Sequence, residues 1–204
     1  GALQWDYSVS SEVHSLKIGN KGLIYATTKD KFYKLYPTGK LKDSVDETET
    51  ITTGPILDSD NNVWYGTGNT TSILHVDDHL YIAEEGELIK TDEDKTKIWN
   101  VSLEGNLTLS YSPDGLYAAS DSEKLYKVAL NGSEIWNYTT SYPIYSKPII
   151  SEEGTVYFTD GSNITAVRSD GTKKWSDHIG SSLRSSPGIN TTGELIGGSD
   201  QGKL

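Results

Sequence analysis

Short apolar runs separated by turn residues organise this chain, and residues 146–175 (SKPIISEEGTVYFTDGSNITAVRSDGTKKW) carry the pattern most plainly. PIIS, TVYFTD and NITAVR read as three strands, with Glu152-Glu153-Gly154 and Asp160-Gly161-Ser162 between them. Asp170-Gly171 forms one more turn before the chain reaches Trp175. Glycine after an acidic residue suits the positive-φ position of a tight hairpin, and Val, Ile, Tyr and Phe suit a pleated, half-buried surface. No helical period of useful length occurs. Strands of about five residues with turn signals every 8–12 residues or so predict an all-β chain.

The same unit recurs. Residues 106–136, 13–43, 73–99 and 183–204 follow it, and residues 51–68 supply its first hairpin alone. Its tail is Gly-x-x-x-Trp, seen as Gly1 to Trp5, Gly132 to Trp136 and Gly171 to Trp175. Lys95 replaces the glycine ahead of Trp99, and Asp43 replaces the tryptophan after Gly39. Unit ends therefore fall near 5, 43, 99, 136 and 175, at steps of 38, 56, 37 and 39 residues. The long step holds two first hairpins and one second hairpin. A period near 38 with four strands per unit predicts a β-propeller of four-stranded antiparallel blades, with five full blades or six with one trimmed. The whole chain, 1–204, reads as one domain. Its last blade is expected to be completed by the N-terminal segment, with residues 1–5 beside 194–204, because closing the ring removes unpaired strand edges.

The run "S-P, D/N-G-x-[VL]-Y, x-L-Y-x-L, G-x-x-x-W" resembles the PQQ-like, or quinoprotein-like, propeller repeat over nearly the whole chain. The resemblance implies that Trp5, Trp99, Trp136 and Trp175 pack between neighbouring blades and tie them together. It implies no activity, since many similar proteins act as scaffolds or surface proteins. Quinoprotein dehydrogenases hold their cofactor with a vicinal Cys pair, a Trp floor and calcium ligands. With no Cys in the sequence, no cofactor is expected.

Composition narrows the partners. A net charge of −11 and pI near 4.7 argue against nucleic acid, whose binders need a basic face, and against docking on anionic lipid. No apolar run is long enough for membrane insertion. Seven of the ten Asn stand in Asn-x-Ser/Thr sequons: Asn69, Asn100, Asn106, Asn131, Asn137, Asn163 and Asn190. That excess points to an extracellular, N-glycosylated surface. An acidic chain without Cys fits an archaeal cell-surface protein better than a disulfide-rich ectodomain. Lacking Met, the chain reads as a mature or excised piece.

The search for chemistry yields weak motifs. His75-x-x-x-His79 has metal-like spacing only on a helix, and Asp58-Ser-Asp60-Asn-Asn62 begins like a calcium loop but lacks its glycine and bidentate glutamate. Glu84-Glu85 and Glu152-Glu153 lie in turns and read as solvated. Neither metal nor catalytic residues are expected. The expected function is a non-catalytic extracellular interaction or cell-surface assembly module, with a protein or a cell-surface glycan as partner. Two alternatives remain: an enzyme such as a polysaccharide-active hydrolase or lyase built in the central funnel, and a structural subunit polymerising into homo-oligomers through open blade edges.

Overall fold

A computed structural model describes residues 3–9, 11–58, 60, 62–180, 182–183, 185–190 and 194–198. Among the described residues four antiparallel blades are complete. Blade 1 is β1 (Ser15–Ile18), β2 (Ile24–Thr27), β3 (Lys31–Leu35) and β4 (Leu41–Asp46). The second unit is only the hairpin β5 (Ile56–Leu57) and β6 (Val63–Trp64). Blade 3 is β7 (Thr70–Val76), β8 (His79–Glu84), β9 (Glu87–Asp92) and β10 (Lys97–Ser102). Blade 4 is β11 (Leu107–Ser112), β12 (Gly115–Ser120), β13 (Lys124–Val128) and β14 (Glu134–Thr139). Blade 5 is β15 (Ile149–Ile150), β16 (Val156–Asp160), β17 (Asn163–Val167) and β18 (Lys173–His178). A sixth unit shows the pair β19 (Gly188–Ile189) and β20 (Leu195–Ile196). The fold is thus a propeller of six blade positions with the second trimmed. Its one helical turn, among the described residues, is a 3₁₀ turn at Asn20–Gly22. The expected pairing of residues 1–5 with 194–204 depends on residues 1–2 and 199–204, which lie outside the described residues.

The core lies between blades. One apolar cluster joins Tyr81, Ala83 and Leu88 of blade 3 to Leu109, Leu116 and Ala118 of blade 4. A second joins Tyr117, Ala119 and Leu125 of blade 4 to Val156 and Phe158 of blade 5. A third joins Tyr25 and Phe32 of blade 1 to Val63 and Tyr65 of the trimmed blade. The period of two along a strand therefore divides β12 between two cores: Leu116 and Ala118 face blade 3, and Tyr117 and Ala119 face blade 5. The outer strands β4, β10, β14 and β18 are mostly exposed.

The outer ladders share a device. In all four complete blades the register slips by one residue just before the last marker position, skipping Lys42, Ile98, Ile135 and Lys174. Such a bulge re-aims the following side chain, which is Trp99, Trp136 or Trp175 in blades 3, 4 and 5. Trp99 swings onto blade 4, where its Nε1–H donates to the Leu130 carbonyl at 3.1 Å and its ring covers Gly132. Trp136 does the same on blade 5, donating to Ser169 O at 3.0 Å over Gly171. Trp5 donates to Pro37 O at 2.8 Å over Gly39 of blade 1. The acceptor is always the residue two before the glycine. All three glycines have positive φ (80°, 91° and 86°), and a Cβ there would collide with the indole. Glycine is required twice over, by backbone sign and by ring contact. Trp175 meets Tyr157 within its own blade, at 6.0 Å.

On each complete blade a tyrosine of the second strand opposes the third strand beside the marker residue. Tyr25, Tyr81 and Tyr117 carry Lys34, Lys90 and Lys127 over their rings at 5.2–5.4 Å. The sequence pattern also places Tyr65 in this register. The structure corrects that: Tyr65 faces back to blade 1 and stacks on Phe32, while Trp64 holds the forward-facing position. Tyr117 donates to the Asp114 carboxylate at 3.1 Å, and Asp114 also pairs with buried Lys127 at 2.6 Å. Tyr25 Oη, by contrast, is the one buried side-chain polar atom without a partner among the described residues. Asp160 ends β16 almost fully buried, and burial raises its pKa despite the 2.8 Å bond from Thr165 Oγ1.

Three outcomes are expected. Gly132→Ala and Gly171→Ala should each lower stability by about 2 kcal/mol or more through backbone strain and displaced indole, whereas Lys95→Gly, at φ 64°, should raise it by ~0.5–1 kcal/mol; urea unfolding measures both. Tyr117→Phe should cost about 1–2 kcal/mol, because a charged acceptor loses its donor, while Tyr25→Phe should be neutral or stabilising. For Asp160 the folded pKa lies above the unfolded one. Its proton therefore favours the fold fully below the unfolded value of about 3.9, and that gain disappears as pH rises through the folded value. Asp160→Asn should melt higher than the parent at pH 7, with the difference vanishing near pH 3.

Candidate functional site

The site candidate is the trimmed second blade. Blade 1 ends on Asp43 where the others carry tryptophan, opposite Lys34 as Trp136 is opposite Lys127. Asp43 is exposed and its carboxylate accepts the Ser44 amide at 2.9 Å. It needs no glycine turn to dock on, because blade 2 has no outer hairpin. Blade 2 for the same reason sends no tryptophan forward. On blade 3 the position homologous to Gly132 is Lys95, whose amide donates to Asp92 O just as that of Gly132 donates to Ala129 O. Asp43 lies at the joint of blades 1 and 2 and Lys95 at the joint of blades 2 and 3, so the two substitutions fall one on each side of the trimmed blade. The sequence displayed both, but only the register shows that each faces the missing outer hairpin.

The vacated volume is a groove. Val63, Trp64, Tyr65 and Thr67 form one wall, and Glu47 and Lys95 stand at its sides, enclosing about 310 Å³. A smaller pocket of about 160 Å³ continues between the same wall and Ile73, Leu80 and Ile82 of blade 3. β6 pairs with β5 on its inner side, and its outer edge carries no ladder among the described residues. Blade 2 is held instead by polar bonds at its base. Thr52 Oγ1 donates to Thr70 O at 2.6 Å, the Gly66 amide donates to Thr53 Oγ1 at 2.7 Å, and Tyr65 donates to the Glu47 carboxylate. Burial and that carboxylate push the Tyr65 phenol well above its usual range.

Beside the groove stands a titratable cluster. The Trp64 ring stacks on His75 at 4.7 Å and 11°. His75 Nε2 lies 3.0 Å from Glu93 Oε1 in the β9–β10 turn. Asp58, at the end of β5, completes a group whose ligand atoms lie within 4.8 Å of one another. The sequence paired His75 with His79, but their positions opposite Leu80 and Val76 put them on opposite faces of the blade. The stretch from Asp58 is a hairpin turn: Oδ1 accepts the amides of Asp60 and Asn62, each at 2.8 Å. Burial pushes the Asp58 carboxyl up, but these bonds and that from Asn62 Nδ2 prevail and hold it below its usual range.

An axial funnel of about 850 Å³ is lined by inner-strand residues including Leu74, Tyr111, Pro148 and Ile150, together with His75, Lys147 and Glu152. Of the sequon asparagines, Asn69, Asn100, Asn106, Asn131, Asn137 and Asn190 are exposed. Asn131 lies in the β13–β14 turn, where its Oδ1 accepts the Ser133 amide at 3.1 Å. Asn163 opens β17 half-buried, with Nδ2 donating to Asp160 O. Asn100 Nδ2 donates to Glu87 at 2.6 Å and Asn190 Nδ2 to Glu194 at 2.6 Å.

Comparison with known proteins places this architecture. The family model described as outer membrane protein assembly factor BamB matches residues 84–203. Among solved structures, BamB from Moraxella catarrhalis aligns with 92% of this chain at 16% identity and TM-score 0.55. The chain spans 61% of that protein's length. The computationally designed Ika8 protein aligns over 94% of this chain and 69% of its own, at 11% identity and TM-score 0.75. BBS1N, solved in complex with ARL6DN, aligns over 95% and 76%, at 9% identity and TM-score 0.67. No curated protein matches by sequence. No helix among the described residues is long and apolar enough to cross a membrane. With four-stranded blades, the Trp-on-Gly lock and this family match in agreement, the chain belongs to the PQQ-like β-propeller repeat family that includes BamB.

Proposed function

We infer that the chain is a non-catalytic, extracellular interaction or assembly module that receives a protein partner at the open outer edge of blade 2. The observation that carries this reading is the groove left by the missing hairpin. It offers an unpaired strand edge at Val63–Trp64, an apolar floor of Ile73, Leu80 and Ile82, and charged sides in Glu47 and Lys95. Strand addition to such an edge supplies backbone hydrogen bonds, and the pockets supply side-chain selectivity. Two similar proteins support an interaction role, BamB as an assembly factor and BBS1N in its complex with ARL6DN. The non-catalytic reading is supported by the funnel's largely aliphatic, aromatic and hydroxyl lining. Sequon abundance and six exposed sequon asparagines support the extracellular placement.

A photo-crosslinking residue at Thr67 or Lys95 should capture a protein in the native host, whereas one at Lys173 on the outer strand of blade 5 should not. Equal capture from all three positions, or none, would remove the reading. The mass of the product separates a second copy of this chain from a different protein. Glycopeptide mass spectrometry of native material should find sugar on Asn131, and bare Asn at all seven sequons would overturn the extracellular placement.

A further inference from the structure

We propose that Asp58, His75 and Glu93 form a binding site for a divalent cation of the zinc class. The inference goes beyond the partner groove and stands on separate residues. One imidazole nitrogen and two carboxylates present ligand atoms within 4.8 Å of one another. In a tetrahedral zinc site with bonds of about 2.0–2.2 Å, ligand atoms sit roughly 3.3–3.5 Å apart. His75 Nε2 and Glu93 Oε1 are at 3.0 Å, so that pair opens slightly to admit an ion. The larger adjustment falls on Glu93, an exposed turn residue whose side chain is free to move.

The two remaining ligands are fixed. The Trp64 indole, stacked at 11° to the imidazole, holds its plane. Asp58 is oriented by the amides of Asp60 and Asn62 on one oxygen and by Asn62 Nδ2 on the other, at 2.7 Å. Oδ2, which accepts a single hydrogen bond, keeps a second lone pair for a cation, and hydrogen bonds of this kind orient metal ligands elsewhere. An imidazole with two carboxylates selects a borderline transition cation over calcium, which prefers six to eight oxygens. Glu93 is 40% exposed, which leaves a side open for water as the fourth ligand. Two negative ligands also match a divalent charge.

The placement gives the site a role. Asp58 comes from the trimmed hairpin, His75 from β7 and Glu93 from the β9–β10 turn. A cation there ties blade 2 to blade 3 at the joint that lacks both tryptophan and glycine. Trp64 lines the groove as well as clamping His75, so occupancy of the site stiffens the groove wall.

The test uses untagged protein stripped with chelator and then titrated with zinc chloride in a non-chelating buffer. Calorimetry should give one site per chain with Kd on the order of micromolar. Tryptophan fluorescence should change with the same midpoint through Trp64, and the melting temperature should rise by several degrees at saturation. His75→Gln and Glu93→Gln should each weaken binding by about tenfold to a hundredfold, Glu93→Gln reporting from an exposed turn whose change leaves folding intact. His79→Gln should bind as the parent does. Calcium chloride at equal concentration should produce no shift. Loss of zinc binding in His79→Gln but not His75→Gln, binding unchanged in both His75→Gln and Glu93→Gln, a response to calcium alone, or no binding at 1 mM zinc would each overturn the assignment.

Discussion

Everything in this propeller depends on how one blade holds the next. Sheets stacked face to face bury their apolar sides, but that attraction is non-directional and does not fix the rotation of one blade on another. The tryptophan lock supplies direction. A bulge turns the indole out of its own sheet, a carbonyl in the neighbouring turn takes its N–H, and a positive-φ glycine lets the ring lie flat against backbone. Large aromatic area and one oriented hydrogen bond act together at a single point. Around the polar bonds of the inner strands, such as Leu109 N–H to Ser72 Oγ at 3.1 Å and Ser110 Oγ to Pro148 O at 2.5 Å, this sets the pitch of the array.

The repeat, its period and the one trimmed unit were legible in the sequence because tight turns need Gly and Asp at fixed spacing, and a lost hairpin lengthens one step. Tyrosine at 25, 81, 117 and 157 recurs at one position of the second strand. Tyr65 misled. Blade 2 carries two adjacent aromatics, and adjacent strand residues face opposite blades, so only pairing partners could tell which one faced forward. The lock itself was half legible: Gly-x-x-x-Trp appeared as a motif within one blade, yet the indoles of Trp99 and Trp136 each meet the glycine of the next blade. Nothing in the linear order separates these two readings.

The site was the least legible part. Asp58, His75 and Glu93 lie far apart in the chain and belong to three different turns and strands. The two motifs that touched them, a histidine pair and an acidic run, each pointed to the wrong companion. His79 looked near because it is four residues away, but a hairpin turn after Val76 sends it to the other face. Glu93 carried no signal at all. Long-range juxtaposition of this kind follows from sheet registry, which the hydrophobic pattern constrains only to the nearest face.

The strand β12 shows what that registry protects. All six of its residues are buried, and alternate ones belong to different cores. In an ordinary edge strand a slip of one residue merely trades inside for outside. Here it would trade one core for the other, driving the Tyr117 ring into the space shaped for Leu116 or Ala118 and leaving a void where it had packed. Neither neighbour tolerates the exchange, so blade 4 acts as a two-sided gauge: once it has paired correctly, the alignment of blades 3 and 5 is already determined.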